Sequence, residues 1–133
     1  MHWLSPLVLA DGFGVEFRDD HVHVQLGKDF EGDPAKRETF WGIIGDVCKS
    51  HQTSRVLVEG FLPEGQRDTA DVIDAGQKTA IVPRLWLAFA LSDFEPTDQT
   101  ELYEVIAASK GVRVKFFSDA RKALEWLRVN APQ

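Results

Sequence analysis

His21 and His23 stand two residues apart in a run that alternates polar and apolar side chains, so both imidazoles face one side of an extended strand. Such a pair chelates a transition metal when a third ligand joins it, and Glu16 in the preceding alternating run is the candidate. Two ligands fall short of what a zinc site uses, so the pair reads as two side chains on a solvated face and no metal is expected. Thr69 is a second candidate, because free N–H groups and the helix dipole favour a phosphate at a helix start. Asp68 and Asp71 would repel that charge, which makes capping the expected role of Thr69. Gly60 and Gly65 have the spacing of a phosphate loop after a strand. Gln66 and Arg67 follow where that chemistry needs lysine and then serine or threonine, so nucleotide binding is excluded there. Gly12-Phe13-Gly14 lacks the preceding strand and following helix of a dinucleotide site. Cys48 falls on an apolar helical stripe with no histidine spaced to activate it, and reads as core. These residues spell no catalytic constellation, and no cofactor is expected.

These residues are carried by elements that the hydrophobic period outlines. Phe13, Val15 and Phe17 alternate with polar neighbours, as do Val22, Val24 and Leu26, which predicts two half-buried strands joined at Asp19-Asp20. Asp33 and Pro34 open a helix whose stripe of Phe40, Ile44, Val47 and Cys48 runs to about His51. Gly42 and Gly45 inside it predict a close approach to the sheet. Val56-Leu57-Val58 has no alternation and reads as a strand covered on both faces. The loop Phe61 to Arg67 follows, and Asp68 or Thr69 caps a second helix through Ile73 and Gly76 up to Pro83. Leu85 to Leu91 is a central strand. Asp98 with Glu101 predicts the cap of a third helix bearing Leu102, Val105 and Ile106, ended by Gly111. Val112, Val114 and Phe116 form a further strand, and Ser118 caps a last helix with Ala120, Ala123, Leu124 and Leu127 on its buried side.

The order is ββαβαβαβα over residues 1–133, an α/β single domain with a mostly parallel sheet and an N-terminal antiparallel hairpin. A length of 133 residues leaves room for one core, and 44% hydrophobic with 27% charged residues is globular composition. The net charge of −6 disfavours nucleic acid and anionic membrane surfaces. One cysteine excludes an internal disulfide, and the opening run Met1 to Ala10 is interrupted by Pro6 and lacks a basic start, so a cytoplasmic location is expected. No segment reaches the length of a membrane span. Trp41, Trp86 and Trp126 lie in apolar patterns and read as core.

With the elements in that order, the stretches FRDDHVHVQLG, RVLVEG and GVRVKFFSDARKALEWL give the chain a resemblance to the STAS domain, specifically the bacterial SpoIIAA-like family, from about Phe13 to Arg128. The resemblance implies a non-enzymatic regulatory module for protein contacts, in relatives that govern sigma factors or sit behind anion transporters, some of which have been proposed to hold lipids. In the anti-sigma-factor antagonists a serine at the start of the helix after the third strand accepts a phosphate. Ala70 stands at that place here, with Thr69 one residue earlier.

The leading expectation is therefore recognition of another protein through Phe61, Leu62, Glu64, Arg67, Asp68 and Thr69, in an acidic region that also holds Glu59, Asp71 and Asp74. The alternative, a carrier or sensor for a small apolar ligand or lipid, would line a hollow with Phe61, Trp86, Phe89 and Phe94. Leu85, Leu87, Phe89 and Leu91 face one side of their strand while Trp86, Ala88 and Ala90 face the other, so both sides of the sheet need cover. If the helices lie mainly on one side, the other is shielded by Trp3, Leu4, Leu7 and Val8 or by a second copy of the chain. Residues 1–12 are thus expected to pack on the domain, with at least weak homodimerisation.

Overall fold

The structure, a computed structural model, describes residues 8–10, 12–27, 34–60, 68–92 and 94–132. The described elements are β1 (Val8–Ala10), β2 (Phe13–Arg18), β3 (His21–Leu26), α1 (Pro34–Ser50), β4 (Arg55–Gly60), α2 (Thr69–Lys78), β5 (Trp86–Leu91), α3 (Asp98–Ser109), β6 (Arg113–Phe117) and α4 (Ala120–Asn130). A 3-10 turn over Thr79–Ile81 follows α2.

Among the described residues the strands form one six-stranded sheet in the order β1-β2-β3-β4-β5-β6. β1, β2 and β3 are antiparallel, and β3 to β6 run parallel. The expected α/β domain with a mostly parallel sheet and an antiparallel N-terminal hairpin is what the chain forms, with β1 added at the edge. Ala10 pairs with Phe13 across Asp11 and Gly12, and the φ of 78° at Gly12 is open to glycine at little cost. At the next turn, between Arg18 and His21, Asp19 takes φ 48°, a value aspartate tolerates better than most residues.

Every parallel crossover returns to the neighbouring strand. Right-handed crossovers made in one direction put their helices on one face of the sheet, and α1, α2 and α3 pack there. Phe40, Trp41, Ile44 and Cys48 of α1 and Ala107 of α3 close over Val15, Val22, Val24, Val56, Val58, Leu87 and Phe89. α2 lies between α1 and α3, where an added Cβ at Gly76 would stand 2.8 Å from a methyl of Ile106. That closeness explains glycine at 76. It does not explain Gly42, whose added Cβ meets nothing within 4 Å, or Gly45, whose nearest neighbour is Val82 at 3.6 Å. The expected close approach of α1 to the sheet at these two positions is not found.

α4 takes the opposite face. Ala123 and Leu127 pack on Leu57, Ala88 and Ala90, flanked by Trp86, Phe117, Leu124 and Trp126. The helices therefore divide between the two faces, and α4 covers much of the side for which an N-terminal cover or a second copy was expected. Trp3, Leu4 and Leu7 lie outside the described residues, and Val8 belongs to β1.

Of the two caps expected for α2 Asp68 is the one used, while α3 and α4 are capped one position away from the expected residues. Asp68, not Thr69, caps α2, its carboxylate accepting from Asp71 N at 2.8 Å. Thr97, not Asp98, caps α3 in a reciprocal box with Thr100. Asp119, not Ser118, caps α4. In each case the residue in extended backbone conformation just before the first helical turn is the one whose side chain can reach back to the free N–H groups.

Candidate functional site

The α2 start sits at the carboxyl end of β4, beyond Gly60. Gly60 has φ 135°, and an added Cβ would lie 2.6 Å from the Leu26 carbonyl oxygen, so only glycine lets the chain leave the sheet here beside β3. Phe61, Leu62, Glu64 and Arg67 of the expected partner-binding set lie outside the described residues. Asp68, Thr69 and Ala70 are exposed at the first turn of α2.

That turn is held from beneath by Arg37. Although charged, Arg37 is only 5% exposed, one turn before Phe40 on the buried stripe of α1. Its Nη2 donates to Asp71 Oδ1 at 2.7 Å and its Nη1 to Asp74 Oδ2 at 3.0 Å. Asp71 and Asp74 are one turn apart on α2, so a planar guanidinium can engage both. Two of the acids expected to form a solvated acidic surface are thus spent on fixing α2 to α1. Asp68 is spent on the cap.

On the α4 face, Asp20 gathers three donors. Arg128 Nε reaches Asp20 Oδ2 at 2.9 Å, Arg55 Nη1 reaches the same oxygen at 3.2 Å, and His21 Nδ1 lies 3.0 Å from Oδ1. Hydrogen bonding from Arg128, opposed by partial burial, holds the Asp20 carboxyl down at about 2. An ionised carboxylate only accepts, so the His21 ring carries its proton on Nδ1. Burial pushes the His21 pKa below its ordinary value, against the pull of Asp20. Arg55 also donates from Nη2 to the Ala131 carbonyl at 2.9 Å, while its Nε has no partner among the described residues.

His21 and His23 do share one face of β3, and both are buried. Each is paired separately, His21 with Asp20 and His23 through Nε2 with Glu59, while Glu16 is bound to Arg18. Among the described residues no three His, Cys, Asp or Glu side chains are grouped to hold a metal ion. The expectation of two histidines on a solvated face is corrected by their burial. Burial also pushes the Cys48 thiol up to about 12, so it stays protonated against the core side of α1.

Of the described positions expected to line a ligand hollow, Trp86 is separated from Phe89 and Phe94 by the sheet. Trp86 faces α4 and is tilted against Trp126 at 5.6 Å. Phe89 and Phe94 lie on the other face, both stacked on Phe116, at 4.7 and 5.3 Å. Phe61 lies outside the described residues. On the outer side of α4, Lys122, Glu125, Trp126, Val129 and Asn130 line an open groove of about 410 Å³.

The arginines were not singled out from the sequence, although Arg37 falls three residues before Phe40 in the apolar stripe and Arg55 adjoins the apolar run Val56-Leu57-Val58. A charge in a buried period is the signal that a partner lies elsewhere in the chain. Among the described residues no helix is long and apolar enough to cross a membrane. No family model, no curated protein and no solved structure matches this chain.

Proposed function

We propose that the chain is a STAS-like, non-enzymatic interaction module that recognises another protein through the loop after β4 and the first turn of α2. The observation that carries this reading is the mounting of that turn. Arg37 fixes Asp71 and Asp74 from the buried side, Asp68 closes the cap, and Thr69 and Ala70 are left exposed on a preorganised helix end. A surface whose backbone is already ordered loses little conformational entropy on binding. The consecutive strand order, with three helices on one face, agrees with the resemblance carried by RVLVEG and GVRVKFFSDARKALEWL.

Regulation by phosphate at Thr69 is not part of this function. Thr69 occupies the first helical position, and Asp68 already satisfies an N–H group of the first turn while adding a negative charge beside it. A small-ligand carrier is the lesser reading, since Trp86 is separated from Phe89 and Phe94 by the sheet.

The test is to purify tagged wild-type protein and the variant Thr69→Arg with Ala70→Arg from the native host, after circular dichroism has shown equal folding. A companion protein present in stoichiometric amount with wild type and lost from the variant supports the proposal. A companion retained by the variant contradicts it.

A further inference from the structure

Between residues 110 and 128 the chain carries Lys110, Arg113, Lys115, Arg121, Lys122 and Arg128 against only Asp119 and Glu125, a balance of +4 within a protein of net charge −6. This stretch forms β6 and α4. Among the described residues β6 is an edge of the sheet and pairs with β5 alone. Arg113 N donates to the Leu85 carbonyl at 3.0 Å. In a parallel ladder, Arg113, Lys115 and Phe117 therefore turn their backbone groups towards β5, and Val114 and Phe116 turn theirs to the open edge.

The side chains of Arg113 and Lys115 are exposed and project on the α4 side. Each leans on an aromatic ring: the Arg113 guanidinium lies 6.0 Å from the Trp86 ring, and Lys115 Nζ lies 5.5 Å from the Phe117 ring. Trp126 packs against both rings. Two cations are thus set at alternate positions along a strand whose outer hydrogen-bonding groups are open among the described residues.

Three occupants can be compared on these facts. Single-stranded nucleic acid needs free aromatic faces for base stacking, and here the rings are engaged by Arg113, Lys115 and one another. A second copy pairing edge to edge would bring Arg113 and Lys115 against their own equivalents, a repulsive arrangement. An acidic extended peptide meets neither objection, because it adds main-chain hydrogen bonds and places carboxylates beside the two cations.

We infer that the β6 edge accepts an extended acidic segment of a partner protein as an added strand, with carboxylates at alternate positions meeting Arg113 and Lys115. The backbone groups of Val114 and Phe116 supply the ladder. This surface is distinct from the α2 surface, and its occupation does not depend on that one binding anything.

The experiment is a nuclear magnetic resonance titration of the full chain with a short capped peptide that alternates glutamate and valine, alongside a counterpart that alternates lysine and valine. The expected result is that the glutamate peptide shifts the Val114 and Phe116 amides and slows their exchange, while the lysine peptide does neither. Arg113→Glu with Lys115→Glu should weaken the glutamate peptide by at least about tenfold and admit the lysine peptide. If that variant fails to fold, Arg113→Gln with Lys115→Gln must show the same loss. Shifts confined to other elements, equal binding of both peptides, or displacement of the glutamate peptide by an oligothymidylate or an anionic phospholipid vesicle would overturn the inference.

Discussion

Arg55 donates from Nη2 to the Ala131 carbonyl at 2.9 Å, so the first residue of β4 holds the carboxyl end of the last helix. The same guanidinium reaches Asp20 at the turn between β2 and β3, and Arg128 of α4 meets it there. One buried arginine therefore ties the hairpin, the central sheet and α4 together. Replacing Arg55 with alanine leaves the Ala131 carbonyl without this donor and removes one cation from Asp20. The expected loss is about 2–4 kcal/mol in urea unfolding, with faster amide exchange in the last turns of α4. Loss of stability without faster exchange in α4 would show that Arg55 does not hold the helix end.

Stability should fall in two stages on acidification. His21 is held below its ordinary value of 6.5, so the folded chain binds its proton less readily than the unfolded chain does. Its contribution is complete above about pH 6.5 and declines as the pH drops below that value. Asp20 is lowered from 3.8 to about 2, so its contribution is present above pH 3.8 and is lost as the pH falls towards 2. Urea midpoints measured against pH should lose the first stage in His21→Gln and the second in Asp20→Asn.

The capping geometry separates two neighbouring residues. Asp68→Ala should cost about 1 kcal/mol because Asp71 N loses its acceptor. Thr69→Ala, inside the first turn, should change stability by less than about 0.5 kcal/mol, since alanine is the better helix former. Equal losses in thermal unfolding would put the cap on Thr69.

Glycines in two helices should respond in opposite directions. Gly42→Ala meets no neighbour within 4 Å and should stabilise α1 by about 0.5–1 kcal/mol. Gly76→Ala drives a Cβ to 2.8 Å from Ile106 and 3.3 Å from the Tyr103 carbonyl oxygen, so the α2–α3 contact must open and the melting temperature must drop.

Much of this architecture is written in local periods. The split of Leu87, Phe89 and Leu91 from Trp86, Ala88 and Ala90 follows from strand alternation and is seen across the two faces of β5. β1 is less legible because three residues carry little periodicity, although Asp11-Gly12 is itself a hairpin signal. The cap positions are uncertain in sequence wherever two capping residues adjoin, as at Asp68-Thr69 and Ser118-Asp119, since backbone conformation chooses between them. Least legible are the pairs Arg37 with Asp71 and Asp74, and Arg55 with Asp20. Their partners lie 34 to 37 residues apart in the chain, and only the packing of α1, α2 and the hairpin brings them together. The side taken by α4 is of the same kind, since it is set by the packing of Ala123 and Leu127 on Leu57, Ala88 and Ala90.

The central claim is that the exposed first turn of α2 meets a partner protein. Its most direct measurement places a photo-crosslinking side chain at Ala70 in one variant and at Glu125, on the outer side of α4, in another, and irradiates both in the native host. The account predicts that residue 70 yields a discrete adduct with one protein, which untagged wild-type chain competes away, and that residue 125 does not trap that protein. An adduct with the same protein from residue 125 and none from residue 70 would contradict it.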